Sequence, residues 1–265
     1  MTCHHCQCQK IRNRKVIAGN WKMNGDKASN KILLETVLAS YEKYNKIDWI
    51  VLAPFVYVSQ CEKLLDMSHL GYGAQDISEN ANGAFTGDIS AGMLKDFGCH
   101  YVLTGHSERR HGHGETNELV AKKTKTALEA EMIPILCVGE TLEEREANQT
   151  LTVVSEQLKA VLNLVKDPAV LSKMIIAYEP VWAIGTGKVA TPEQAQEVHA
   201  AIRHQLKQMD QTLGAKMQIL YGGSVKPDNA ESLFKMPDID GALIGGASLK
   251  AEQFLKIGEI CNQFS

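Results

Sequence analysis

Short apolar runs recur along the chain with amphipathic stretches between them. The runs are VIAGNW from Val16, WIVLAP from Trp49, LGYGAQ from Leu70, YVLTG from Tyr101, IPILCVG from Ile133, MIIAYEP from Met174, MQILYGG from Met217 and GALIGG from Gly241. Each is nearly all apolar and ends in glycine, proline or a polar residue, as strands covered on both faces and closed by a turn do. The stretches Lys31 to Tyr44, Glu115 to Glu131, Thr150 to Val165 and Pro192 to Leu213 carry apolar residues at three- and four-residue intervals, the pattern of helices with one buried stripe. Strand followed by helix, repeated around the chain, predicts an α/β fold in which parallel strands close into a single-domain (β/α)8 barrel. An open doubly wound sheet would have fewer strands and a glycine fingerprint after the first. One helix start is sharply marked: Thr191, Pro192, Glu193 and Gln194 supply an N-cap, a proline at the first helical position and the glutamine of a capping box. The loop after the sixth strand should therefore end near Thr191.

With 265 residues and 44% apolar composition the chain can bury a large core, and no linker or second domain interrupts it. The barrel is expected over residues 15–265, preceded by an extension over residues 1–14. A net charge of −3 provides no basic field for nucleic acid or an anionic membrane. No apolar run approaches the roughly 18 to 20 residues that span a bilayer, and the N-terminus lacks the apolar core of a signal peptide, so a cytoplasmic location is expected. Cys61, Cys99, Cys137 and Cys261 are scattered singly among apolar segments, where reduced cysteines sit, and no disulfide is expected. The opening MTCHHCQCQK crowds Cys3, His4, His5, Cys6 and Cys8 together. A structural zinc site needs a second ligand pair at a distance and none follows, so the expectation is a disordered tail and no metal site.

Active sites of such barrels form at the C-terminal ends of the strands, which makes polar residues there the candidates. After the first strand, Asn20 and Lys22 share a side if strand alternation persists; Lys22 is either a fixed cation for a phosphate or developing oxyanion, or a solvated loop lysine. After the fourth strand comes GHSERR, in which Ser107 and Glu108 suit a helix start. Backbone N–H groups beside the His106 ring would then disfavour its protonated form and leave a neutral proton donor; the alternative is a structural histidine. His111 and His113, flanked by glycines, read as solvated. After the sixth strand Glu179 closes a run apolar enough to desolvate it, which would raise its pKa and make it a stronger base, unless it pairs with a lysine at the rim. The following VWAIGTGK, apolar at its start and glycine-rich at its end, fits a hinged lid or a hydrophobic turn. Paired glycines after the seventh and eighth strands, in YGGSV and IGGASL, suit a phosphate site of backbone N–H groups.

Together, AGNWKMNG, GHSERR, CVGE, AYEPVWAIGTGK, YGGSV and IGGASL come in order at the ends of successive strands, and here the sequence resembles the triosephosphate isomerases from about Val16 to the C-terminus. That resemblance implies a TIM barrel that interconverts dihydroxyacetone phosphate and D-glyceraldehyde 3-phosphate through an enediolate, with no metal or organic cofactor. Position by position it makes Glu179 the base that moves the proton between carbons, and His106 the neutral electrophile, a pairing known for this family. Asn20 and Lys22 would stabilise the oxyanion, while Gly185, Ser224, Gly245 and Gly246 would bind phosphate under a lid from Pro180 to Lys188. Cys137 and Glu108 would support the catalytic groups. It also implies a homodimer, in which the loop from Asp76 to Asp88, with Phe85 and Thr86 near its tip, enters the neighbouring subunit. The N-terminal extension departs from the family pattern. Two rival readings are an aldolase or lyase with a Schiff base on Lys22 and a non-catalytic binding barrel.

Overall fold

The computed structural model describes residues 14–184 and 189–265. Its strands are β1 (Lys15–Asn20), β2 (Ile47–Ala53), β3 (Gly71–Ala74), β4 (Tyr101–Thr104), β5 (Ile133–Val138), β6 (Ile175–Tyr178), β7 (Ile219–Tyr221) and β8 (Gly241–Ile244). They pair in parallel, each with the next, and β8 returns to β1 to close the barrel. The helices are α1 (Lys27–Leu38), α2 (Phe55–Leu65), α3 (Ala91–Asp96), α4 (Ser107–Gly112), α5 (Asn117–Glu129), α6 (Leu142–Glu146), α7 (Thr150–Val165), α8 (Pro168–Leu171), α9 (Pro192–Met209), α10 (Gln211–Lys216), α11 (Ala230–Phe234) and α12 (Ala251–Asn262). This is the single-domain barrel that the strand and helix periodicities predict. The Cys/His-rich tail of residues 1–13 and Gly185 lie outside the described residues.

Strand alternation sorts the apolar residues into two cores. Val16, Ala18, Ile50, Leu52, Leu103, Ile135, Cys137, Ile175, Ala177, Leu220 and Leu243 form an interior plug. Their neighbours along each strand, among them Ile17, Val51, Val102, Leu136, Ile176, Ile219 and Ile244, pack outward against the helices. Closure is tight at one point: a Cβ on Gly241, at φ +132°, would fall 1.9 Å from the Val16 carbonyl oxygen. Only glycine allows β8 to reach β1 there.

Several helix boundaries differ from the periodic reading, and two of them have a clear local cause. The first helix starts at Lys27 rather than Lys31, because Asp26 and Ser29 close a capping box ahead of the first apolar residue. The run from Pro192 to Leu213 is two helices. Asp210 adopts an extended backbone (φ −157°, ψ 127°) and turns its carboxylate onto the Leu213 N–H, competing with the helix it interrupts. The capping box at Thr191 forms as predicted.

Beneath the barrel, the buried Arg203 of α9 joins α10 to the approaches of β7 and β8. Its Nη1 donates to the carbonyls of Gly214 and Met217, Nε to Asp238 Oδ1 and Nη2 to Asp240 Oδ2. Asp240 Oδ2 also accepts the Ile219 N–H, so one carboxylate fixes both the arginine and the start of β7. One turn earlier, His199 is fully buried with Nδ1 3.1 Å from the Asp238 carbonyl and its ring edge-on to Tyr178. A carbonyl only accepts, so Nδ1 carries the proton and Nε2, which has no partner, carries the lone pair.

Burial depresses the His199 pKa to about 4, with the hydrogen bond to Asp238 opposing and Arg203 adding to the shift. The unfolded chain takes up this proton near 6.5 and the folded chain does not until about 4, so stability falls as pH drops through that window. Below it the loss should reach roughly 3 kcal/mol. His199→Phe removes the titration, and Arg203 Nη2 still satisfies the Asp238 carbonyl. Urea unfolding at pH 7 and pH 4.5, at fixed protein concentration, should show a pH dependence smaller in His199→Phe by about 2 kcal/mol, most of that loss. Equal slopes for the two proteins would contradict the assignment.

Candidate active site

Two residues beyond the last plug residue of each strand, alternation points the chain inward again. At Ala18, Leu103, Cys137, Ala177, Leu220 and Leu243 this next position is Asn20, Gly105, Gly139, Glu179, Gly222 and Gly245. Most are glycines, which leaves a recess at the C-terminal mouth into which Asn20 and Glu179 bring side chains. The recess has little slack. A Cβ on Gly222 would lie 2.8 Å from Glu179 Cγ, and one on Gly139 only 1.7 Å from the Glu179 carbonyl oxygen.

Glu179 is held from its backbone outward. Its N–H donates to the Val138 carbonyl at 2.8 Å, continuing the β5–β6 ladder by one residue. Its buried carboxylate accepts the Ser107 N–H on Oε2 at 2.9 Å, and Oε1 lies 2.9 Å from His106 Nε2. His106 is the N-cap of α4 and its Nδ1 accepts the Glu108 N–H at 3.2 Å. A protonated Nδ1 could not accept, so this bond places the ring's proton on Nε2, facing Glu179. The helix start predicted from Ser107 and Glu108 thus sets the tautomer.

The charges differ from the local reading in a physically instructive way. Burial acts to raise the Glu179 pKa, but the His106 contact, the Ser107 N–H and Lys22 outweigh it and hold the carboxyl below its ordinary value. Desolvation alone, as argued from the apolar run, has the wrong sign because it omits those partners. Burial likewise disfavours imidazolium at His106, but the charge and hydrogen bond of Glu179 together with the Glu108 charge outweigh it and raise the pKa against the pull of Lys22. The Glu108 N–H bond opposes that rise and forms only with the neutral ring. The expectation of a depressed histidine pKa is therefore corrected for this arrangement: only when Glu179 moves off Nε2 does the carboxylate's influence weaken.

Lys22 adopts φ +52°, a conformation costly for a residue with a side chain. Three contacts hold it. Asn20 Oδ1 accepts its N–H at 3.0 Å, Gln75 Nε2 donates to its carbonyl at 3.0 Å, and its ammonium pairs with Glu108 Oε1 at 2.5 Å. Gln75 also donates to the Leu52 carbonyl, tying Lys22 to the end of β2. Gln75 closes the run LGYGAQ, so the rule that polar residues at strand ends are candidates would have found it.

The phosphate candidates converge on the same mouth. A Cβ on Gly245 would lie 3.4 Å from Lys22 Cε, and Gly246 beside it is exposed. The loop after β7 meets the start of the lid, where a Cβ on Gly223 would lie 3.1 Å from Pro180 Cγ; the next residue, Ser224, is pinned by Asn229 Nδ2 on its carbonyl. Cys137 is fully buried, and desolvation with the Glu179 charge pushes its thiol well up, so it is no nucleophile. Its contact with the site runs through its carbonyl instead, which accepts from Arg110. His111, in the last turn of α4, and His113, just past its end, are exposed. Among the described residues no group of three or more His, Cys, Asp and Glu could hold a metal ion.

The start of the segment after β6 is fastened by Glu140, which is wholly buried. It accepts from the Tyr178 hydroxyl, from Trp182 Nε1 at 2.9 Å and from Arg145 Nη1 at 3.2 Å, while the Arg145 guanidinium lies over the Trp182 ring. The sequence offered only the CVGE motif as a pointer, since nothing local shows that an indole will come to meet this carboxylate.

Because the Gly222 recess fits Glu179 so closely, Gly222→Ala should push the carboxylate off its present position while leaving the barrel intact. A displacement of about 1 Å can cost on the order of 10²-fold. Steady-state assay for triose phosphate isomerisation should show kcat down about 10- to 100-fold with a cooperative melt retained; parental kcat would show that the recess is not limiting.

A family model for triosephosphate isomerase matches residues 15–261. The triosephosphate isomerase of Coxiella burnetii (strain Dugway 5J108-111) is 56% identical over 253 residues, spanning 96% of this chain and 99% of that protein. That of Cupriavidus necator is 56% identical over 245 residues, covering 92% and 98% of the two chains, and that of Herminiimonas arsenicoxydans is 54% identical over 244 residues with the same coverage. On these matches the chain belongs to the triosephosphate isomerase family.

Proposed function

We propose that the isomerisation of dihydroxyacetone phosphate to D-glyceraldehyde 3-phosphate in this chain is carried by Glu179, His106, Lys22 and Asn20 at the barrel mouth. The observation that supports it is the direct contact between a buried carboxylate and the Nε2–H of a histidine whose other nitrogen is occupied by a backbone N–H. Substrate takes the place of that contact. Glu179 then removes a proton from C1 of the ketose, giving the enediolate, and His106 Nε2–H protonates the C2 oxygen to give the enediol. The proton on Glu179 returns to C2, and the C1 hydroxyl proton passes to His106. No atom or electron is gained or lost overall. Lys22 and the Asn20 amide stand where negative charge develops on the oxygens.

Gly185, Ser224, Gly245 and Gly246 would hold the phosphate through backbone N–H groups, and the segment from Pro180 onward would close over it to exclude water from the enediolate. Glu108 supports the site by fixing the Lys22 ammonium and presenting its N–H to His106. A Schiff base on Lys22 is disfavoured, because an amine held as a cation in an ion pair has no free lone pair. Borohydride trapping with substrate distinguishes the two, an adduct on Lys22 favouring the aldolase reading. No helix among the described residues is long and apolar enough to cross a membrane.

A homodimer is proposed on the loop after β3. Its base is fixed by Asp76, paired with Lys123 at 2.7 Å and Arg109 at 2.9 Å, and by Ser78 donating to Asp88. Its tip presents Phe85, 46% exposed, beside the exposed Thr86. A rigid loop offering an aromatic to solvent suits insertion into a partner pocket.

Two measurements test these assignments. Glu179→Gln should lower kcat by about 10²- to 10⁴-fold, the usual worth of a positioned base, with little change in KM; a change confined to KM would make Glu179 a binding residue. Phe85→Asp should shift the protein from dimer to monomer in sedimentation velocity, and a parent protein that sediments as a monomer would end the dimer proposal.

A further inference from the structure

Arg110 sits on α4, four residues after His106, partly buried, and none of the roles assigned above uses it. Its guanidinium divides three hydrogen bonds among three elements. Nε donates to the Gly105 carbonyl at 2.8 Å, Nη2 to the Cys137 carbonyl at 3.1 Å and Nη1 to Asn117 Oδ1 at 2.8 Å. The first acceptor immediately precedes His106, the second lies on β5 two residues before Gly139, and the third opens α5. Gly105 is left-handed at φ +67°, and a Cβ there would meet Val120 Cγ1 at 2.6 Å and Arg110 Nη2 at 2.8 Å. The tight turn that delivers His106 to the site is therefore closed from below by this guanidinium.

The charge is as informative as the hydrogen bonds. A guanidinium stays protonated in any protein setting, and one placed for structure alone usually takes a carboxylate through its fork. Among the described residues no carboxylate makes an ion pair with Arg110, and its fork is given instead to two carbonyls at the barrel mouth. The anionic groups whose field reaches it include Glu179 and Glu115, with the Cys137 thiol beside them.

We propose that Arg110 is a positioning residue for the isomerisation: it fixes the carbonyl before His106 to the end of β5 and so holds the turn that delivers His106 to the site. This rests on the roles given above to His106 and Glu179. The groups facing the Glu179 carboxylate are His106 and the Ser107 N–H from the start of α4, Lys22 from the loop after β1 and Cys137 from β5, with Gly222 contributing no charge from β7. Arg110 is not among these neighbours, but the Glu179 charge reaches it, so removing Arg110 takes away a more distant cation that favours the ionised base while the loops after β7 and β8 are untouched.

The full chain carrying Arg110→Met or Arg110→Lys is assayed with D-glyceraldehyde 3-phosphate across pH, alongside thermal melts. Arg110→Met should lower kcat about 10- to 100-fold with KM within about twofold, as misplacement of a catalytic group does. The acidic limb of kcat/KM should move to higher pH relative to the parent; the substrate's own ionisation is common to both and cancels. Arg110→Lys keeps the cation and loses the fork, so its acidic limb should stay in place while kcat still falls about 10-fold. Parental kcat in Arg110→Lys, a loss of activity carried by KM, or an unmoved acidic limb in Arg110→Met overturns the proposal. Should Arg110→Met not fold, Arg110→Lys decides alone, a lower kcat at constant KM supporting it and parental kcat overturning it. His106→Gln serves as the control: parental activity there would defeat the role of His106 itself, whatever the Arg110 variants do.

Discussion

The site rests on one geometric constraint, the two-residue alternation of strands in a closed parallel barrel. Once Ala18, Cys137, Ala177 and Leu220 point into the plug, Asn20, Gly139, Glu179 and Gly222 must occupy the next inward layer. Their inward direction needs no further interaction to hold it. Glycine on the flanking strands is what makes the layer usable, because any side chain at Gly139 or Gly222 would strike Glu179. A packed plug below and an open recess above thus come from the same repeat, differing only in whether the inward residue carries a side chain.

On that scaffold the candidate site is assembled from contacts that each restrain a side chain at more than one point. His106 is fixed at Nδ1 by the Glu108 N–H and meets Glu179 at Nε2; Lys22 is held by its N–H, its carbonyl and its ammonium. Glu108 belongs to both sets, so Glu179, His106 and Lys22 form one network. The strained backbone of Lys22 persists because Asn20, Gln75 and Glu108 over-determine it. Glu179 and His106 satisfy each other, and any ligand that displaces their contact must exceed its stability.

Much of the molecule was legible in its residues. The apolar runs located all eight strands, the Thr191 to Gln194 signature located the start of α9, and polar residues at strand ends located Asn20, Lys22, His106 and Glu179. What went unseen was set by contacts distant in sequence. The Glu179 pKa is lowered because residue 106 and residue 22 reach it, and the apolar run around it contains no sign of either. The contacts of Arg110 and Glu140 are hidden for the same reason, since their partners lie on other elements. Asp210 divided a continuous amphipathic pattern because its carboxylate competes for a backbone N–H, a local effect that apolar periodicity does not register.

By itself, then, the sequence determined the order and kind of the elements, the inward or outward direction of each strand residue, and the residue types available at the mouth. These follow from periodicity and turn chemistry, which act over a few neighbouring residues. Only the tertiary structure decided which of those residues meet, which nitrogen of His106 carries the proton, and whether burial or pairing controls the charge of Glu179. Electrostatic energies depend on distances between groups far apart in the chain, and closing the barrel is the step that sets those distances.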